Sequence, residues 1–272
     1  MHPPRWIVAA CLAAGVSAGC AAGFQVRRFP TSDALYTASL AEFRKGKWDN
    51  AVTGFEKLTL DLSARDTLLP LSYWYLAQAH DHRAEHILAS TTFARIAQSF
   101  PDDSLADDAL LASGDSYLAV WRRPDLDPQY GTLAQIQYRQ LLSTYPDSPL
   151  ADRARQGLLR IDEDFAAKEY LNGQFYVKRG AFDSAIIYFK SIVKEYPNTD
   201  HARMALLRMV EVYRRPQLNY KEEAAETCNT LRTAYPTDPE VKATCPAAVA
   251  ADSSAAAAKR PAADSARRTP PR

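Results

Sequence analysis

The chain has 272 residues, 47% of them hydrophobic, enough to bury a substantial core. Its formal charge of +1 at pH 7 gives no electrostatic case for nucleic acid as a partner. Ten glycines, helical spacing of the apolar residues and the absence of alternating strand patterns predict an all-α protein.

The first twenty residues read apart from the fold. Arg5 forms a short basic region, Trp6 to Val16 an apolar run, and Ser17-Ala18-Gly19-Cys20 a cleavage site. The run is too short to span a bilayer, so residues 1–19 are expected to be a secretory signal peptide. The small residues before Cys20 resemble a bacterial lipobox, with Ser17 standing where leucine is usual. That resemblance implies acylation of Cys20 as the mature N-terminus; the alternative is an ordinary signal peptide with an incidental cysteine. Ala21 in place of aspartate after Cys20 implies sorting to the outer membrane. Several acyl chains anchor stably, because each buried methylene contributes ~0.8 kcal/mol. Residues 20–31 are then a short lipidated tether.

From Ser32 onward one pattern recurs: Ala-x3-aromatic-x2-aliphatic-x4-Pro. Ala51, Phe55 and Leu58 open it, without the proline but with Gly46 and Trp48 ahead. Ala89, Phe93, Ile96 and Pro101 follow, then Ala134, Tyr138, Leu141 and Pro146. Ala185, Phe189, Ile192 and Pro197 make the fourth copy, and Ala224, Cys228, Leu231 and Pro236 the fifth. An aromatic precedes each proline: Phe100, Tyr145, Tyr196 and Tyr235. The small residue lets two helices approach, the larger ones fill the gap, and proline stops the helix. The fourth copy is the clearest. Its first helix carries Leu171, Phe175 and Tyr176 on one side and stops at Gly180. Self-similarity of this kind predicts a solenoid of helix pairs.

The pattern resembles a tetratricopeptide (TPR) array, a right-handed solenoid of about five helix pairs. The family's small, Gly, aromatic, Ala, aromatic and Pro positions fall on Ala77, Ala84, His86, Ala89, Phe93 and Pro101 in the second copy. In the fourth they fall on Gly173, Gly180, Phe182, Ala185, Phe189 and Pro197. The repeated alanines lie 38, 45, 51 and 39 residues apart, longer than a minimal unit. Trp121 to Gln129 accounts for part of the excess as a proline-bearing loop inside the third copy. Leu150 to Lys178 contains no proline and reads as one helix of about 40 Å. Repeats one to three are therefore placed at 32–148, and the long helix with repeats four and five at 149–246. Residues 247–272 collapse to Ala, Ser, Pro and Arg and read as a disordered basic tail. That tail is either passive or touches an anionic surface such as the cell-wall polymer.

No cofactor or metal site is expected. His80, Asp81, His82 and His86 invite a metal, but the repeat register gives His80 and His86 packing positions and leaves only His82 on the concave side. No Ser-His-Asp arrangement, phosphate loop or paired CxxC is present, and the repeats leave no room for a catalytic domain. A binding scaffold is expected, not an enzyme. Cys228 and Cys245 remain after the signal and the lipid site, and a disulfide is expected in an oxidising compartment, against two buried thiols.

The lipobox, five repeats, Asp127-Pro128-Gln129 in the loop, the long helix and YVKRGAF at 176–182 together resemble the BamD (YfiO) family. These are outer-membrane assembly lipoproteins of Gram-negative bacteria, and the resemblance covers about residues 20–240. It implies a protein on the periplasmic face of the outer membrane. Its C-terminal repeats would hold the POTRA region of BamA, with Arg214 and Arg215 on that face. Its N-terminal repeats would receive unfolded β-barrel proteins through the concave positions Tyr36, Leu40, Arg44, Trp74, Gln78, His82, Leu111 and Asp115. Arg44 would meet a terminal carboxylate; the alternative is that half of these residues pack between repeats. Another periplasmic TPR scaffold, a Tol-Pal-associated coordinator or a pilus-assembly lipoprotein, is the alternative function. The former normally carries a coiled coil ahead of its repeats, and the latter lacks the loop and the long helix. A cell-wall-cleaving enzyme would need a lysozyme-like domain.

Overall fold

The repeated Ala, aromatic and aliphatic positions are buried in every copy, from Ala51, Phe55 and Leu58 to Ala224, Cys228 and Leu231. The computed structural model describes residues 24–246. The expected signal peptide, Cys20 and the basic tail lie outside the described residues. Among those described, the chain is all-α. After a 3-10 turn at Val26–Arg28 come α1 (Ser32–Arg44), α2 (Trp48–Asp61), α3 (Leu68–His82), α4 (His86–Ser99), α5 (Ala106–Val120) and α6 (Gln129–Thr144). The long α7 (Ala151–Lys178) leads to α8 (Phe182–Glu195), α9 (Asp200–Tyr213), α10 (Lys221–Ala234) and the short α11 (Pro239–Thr244).

Two compact units divide inside α7, after Ile161, and not at its start. In the first, each helix from α1 to α6 packs on the next. In the second, α8, α9 and α10 do the same, with α11 against α10 and α9.

The interlock between small and aromatic residues is tight. A Cβ on Gly114 of α5 would lie 2.5 Å from the Tyr138 ring, and one on Gly157 of α7 would lie 2.6 Å from its other edge. The second unit repeats the device, since a Cβ on Gly173 would lie 2.5 Å from the Phe189 ring. Both rings are almost wholly buried. Helix ends follow the same repeat. The aromatics before proline, Phe100, Tyr145, Tyr196 and Tyr235, donate their N–H to the carbonyl four residues back, and proline then prevents extension. Inside the helix pairs the turn needs a left-handed residue, supplied by Gly46 (φ 70°) and Gly180 (φ 74°). The second copy has Ala84 there, at φ 60°.

Two of the three nearby histidines tie that strained turn. His80 Nδ1 pairs with Glu85 at 2.7 Å, and His86 Nδ1 with Asp81 at 2.7 Å, so neighbouring residues are tied crosswise over Ala84. Arg83 adds ion pairs to Glu85 at 3.0 Å and Asp49 at 3.2 Å. His82 is exposed and stacks on Trp48 with centroids 4.1 Å apart.

One packing expectation is corrected. Leu171 and Phe175 are 54% and 51% exposed, while Tyr170, Gly173 and Tyr176 face the core of the second unit. The bulky pair lies on the outer stripe of α7 because Gly173 is what the buried Phe189 ring requires.

The C-terminal end is stapled. Cys228 and Cys245 form a disulfide with a Cα–Cα distance of 5.3 Å, joining α10 to the residue after α11. Asp238 caps α11, accepting from the N–H groups of Glu240 (2.8 Å) and Val241 (3.1 Å). Those bonds hold its carboxyl below the usual range. Beneath the bridge, Leu207, Val210, Leu231 and Val241 make one apolar cluster.

Two outcomes are expected. Gly173→Ala should destabilise by up to about 2 kcal/mol in urea melts, because overpacking of ~1–3 kcal/mol opposes the ~1 kcal/mol gained in helix propensity. Reduction, or Cys228→Ser, should cost ~3 kcal/mol for a loop of this separation, read as a lower urea midpoint.

Candidate functional site

Helix α3 places Trp74, Gln78 and His82 one turn apart, so a single stripe faces one way. Opposite them stand Ala112, Asp115, Ser116 and Ala119 of α5, with Phe43 at the end of α1. Together they line a cleft of ≈ 400 Å³ in the first unit, floored by Phe93 of α4. The Trp74 ring meets Phe93 edge-on at 5.1 Å, so part of its surface is left for a ligand. His82 is held edge-on to Phe43 at 5.9 Å as well as stacked on Trp48.

Two carboxylates belong to this cleft. Asp115 Oδ1 accepts from the Tyr138 hydroxyl at 2.6 Å, and its Oδ2 from Arg153 at 3.3 Å. Burial first, then the bond to Asp115, push the Tyr138 hydroxyl far up, so it stays protonated as the donor. Asp81 Oδ1 accepts from Ser116 Oγ at 3.3 Å and pairs with His86.

Of the eight expected groove residues, Trp74, Gln78, His82 and Asp115 come together here. Tyr36 and Leu40 instead pack on the cluster around Leu35 and Phe55. Tyr36 lies edge-on to Phe55 at 5.8 Å, and burial pushes its hydroxyl up. Arg44 is exposed at the last turn of α1, outside the cleft lining. Leu111 is 4% exposed, on a helix against which α4 and α6 both pack, and is not in the cleft lining. Phe43, Asp81 and Ser116 were not expected. Asp81 was legible as the residue three after Gln78, on the same helical face.

Arg214 and Arg215 are exposed, but both guanidinium groups are engaged within the second unit. Arg214 donates to the Thr244 carbonyl at 2.7 Å and reaches Cys228 Sγ at 3.5 Å. Arg215 lies 5.3 Å over the Phe182 ring. Arg214 thus braces the C-terminal end, and Arg215 covers the first residue of α8. Among the described residues no group of three or more His, Cys, Asp or Glu is placed to hold a metal ion, and no helix is long and apolar enough to cross a membrane.

Comparison with known proteins agrees with the repeat pattern. Residues 30–231 match the model of the family YfiO, outer membrane lipoprotein. The chain is 26% identical over 243 residues to outer membrane protein assembly factor BamD of Caulobacter vibrioides, covering 86% of this chain and 77% of that one. It is 26% identical over 214 residues to the protein of the same name from Vibrio cholerae, covering 74% and 88%. With that from Neisseria gonorrhoeae it shares 25% over 219 residues, covering 75% and 79%. The family match takes in α1 to α9 and nearly all of α10, and on that ground the chain belongs to the YfiO family of outer membrane lipoproteins.

Proposed function

We propose that this protein is an outer-membrane protein assembly factor: a scaffold that binds unfolded β-barrel clients in the cleft of its first unit and the POTRA region of BamA through its second. The cleft carries the reading. Trp74, Phe43 and Phe93 offer aromatic surface beside Gln78 and the two aspartates, a lining suited to an extended segment with alternating aromatic and polar side chains. Relatives matched over most of the chain carry the name assembly factor, which supports the same reading.

On the second unit, Ile187 is 68% exposed on α8, and Leu171 and Phe175 are exposed on α7. Apolar groups of this size on a helical surface suit a protein partner. Cys20 carries lipid in this reading and holds the scaffold at the periplasmic face.

Trp74→Ala should weaken binding of a peptide from the last strand of a β-barrel protein by ~1–3 kcal/mol in fluorescence anisotropy. It should leave co-purification of BamA from native membranes unchanged. Ile187→Asp should do the reverse. Equal loss of both bindings in either variant, with the helical circular dichroism intact, would show one shared surface. Cys20→Ala should move the protein from the membrane to the soluble fraction, and mass spectrometry of the mature wild-type chain should find an acylated N-terminal cysteine.

A further inference from the structure

We infer that the cleft of the first unit selects segments bearing a lysine or arginine beside an aromatic residue, and does not read a terminal carboxylate. The inference rests on the proposed reading of this cleft as the client groove, and it names what that groove recognises. The lining holds two carboxylates, Asp81 and Asp115, and neither lysine nor arginine. Arg44, the residue best suited by sequence to meet a carboxylate, is not part of it.

Each aspartate is held by one hydroxyl and one basic side chain. The Tyr138 hydroxyl orients Asp115 without neutralising it. Arg153 touches Asp115 at 3.3 Å, but the two side chains are 63% and 50% exposed, so water screens this pair and an entering cation can displace it. Asp81 is aimed by Ser116 and His86, and its side chain remains 45% exposed. An entering carboxylate would meet two like charges. An entering guanidinium would gain charge-assisted bonds to the aspartates and could lie on the face of Trp74.

The test uses the full-length protein in detergent and four labelled peptides of one alternating aromatic–polar sequence. They carry Arg or Gln at one central position and end in a free carboxylate or an amide. Replacing Arg with Gln should weaken binding about tenfold, while amidation should change it less than about twofold. In the double variant Asp81→Asn, Asp115→Asn the Arg preference should vanish. The peptide arm needs no change to the protein, so absence of an Arg preference there overturns the inference even if the double variant folds poorly. If amidation weakens binding and Gln does not, while Trp74→Ala still reduces it, the cleft reads carboxylates: the inference fails and the proposed function stands. An Arg preference that persists undiminished in a folded double variant also overturns the inference, since other groups then supply it. If Trp74→Ala leaves all four affinities unchanged, the cleft is not the client groove, and both readings fall.

Discussion

The third and fourth helix pairs depend on a ring inserted where a side chain is missing. Tyr138 lies between Gly114 and Gly157, each close enough that a single added carbon would overlap the ring. Phe189 lies against Gly173 in the same way. A helix pair cannot bury its apolar stripe unless its axes approach, and close approach requires a gap on one helix to receive the ring of the next. Full burial of such a ring contributes roughly 2–3 kcal/mol, enough to make the spacing of glycine and aromatic residues more restrictive than overall hydrophobicity. Helix α7 uses the device at two places, Gly157 for the first unit and Gly173 for the second.

The same interlock shapes the cleft. Because the Tyr138 ring is held between glycines, its hydroxyl arrives at a set place and anchors Asp115 on the surface of α5. On α3, the crossed His80–Glu85 and His86–Asp81 pairs hold the turn around Ala84 and so aim Asp81 at the same space. A left-handed alanine costs about 1–2 kcal/mol relative to glycine. The histidines that look like metal ligands in the sequence are instead part of what offsets that strain. Structure and the proposed recognition therefore share residues: the groups that close the turn and anchor to the ring also present the cleft's carboxylates.

The C-terminal end follows a different logic. An array of helix pairs exposes an apolar face at its last member, and here the short α11, the disulfide and Arg214 close over Leu207, Val210 and Leu231. Six helical residues could not hold such a lid by helix propensity alone. The bridge and the cap at Asp238 supply what the short helix lacks.

The sequence by itself determined the all-α class, the five helix pairs and the long α7. These follow from spacing along the chain, and a helix converts spacing into a face by its 3.6-residue period. The period says which residues share a stripe, but not what a neighbouring helix lays over it. Trp74, Gln78 and His82 were legible as one stripe, whereas the burial of Leu111 required α4 and α6 in place on α5. Leu171 and Phe175 looked like core and face outward, because Gly173, not the larger residues, is what Phe189 needs opposite it. Arg214 read as a free surface charge until the chain brought the Thr244 carbonyl to 2.7 Å from it. The charge of the cleft was decided in the same way. Asp81 and Asp115 are far apart in sequence and come to line one space only when α3 and α5 stand on either side of it.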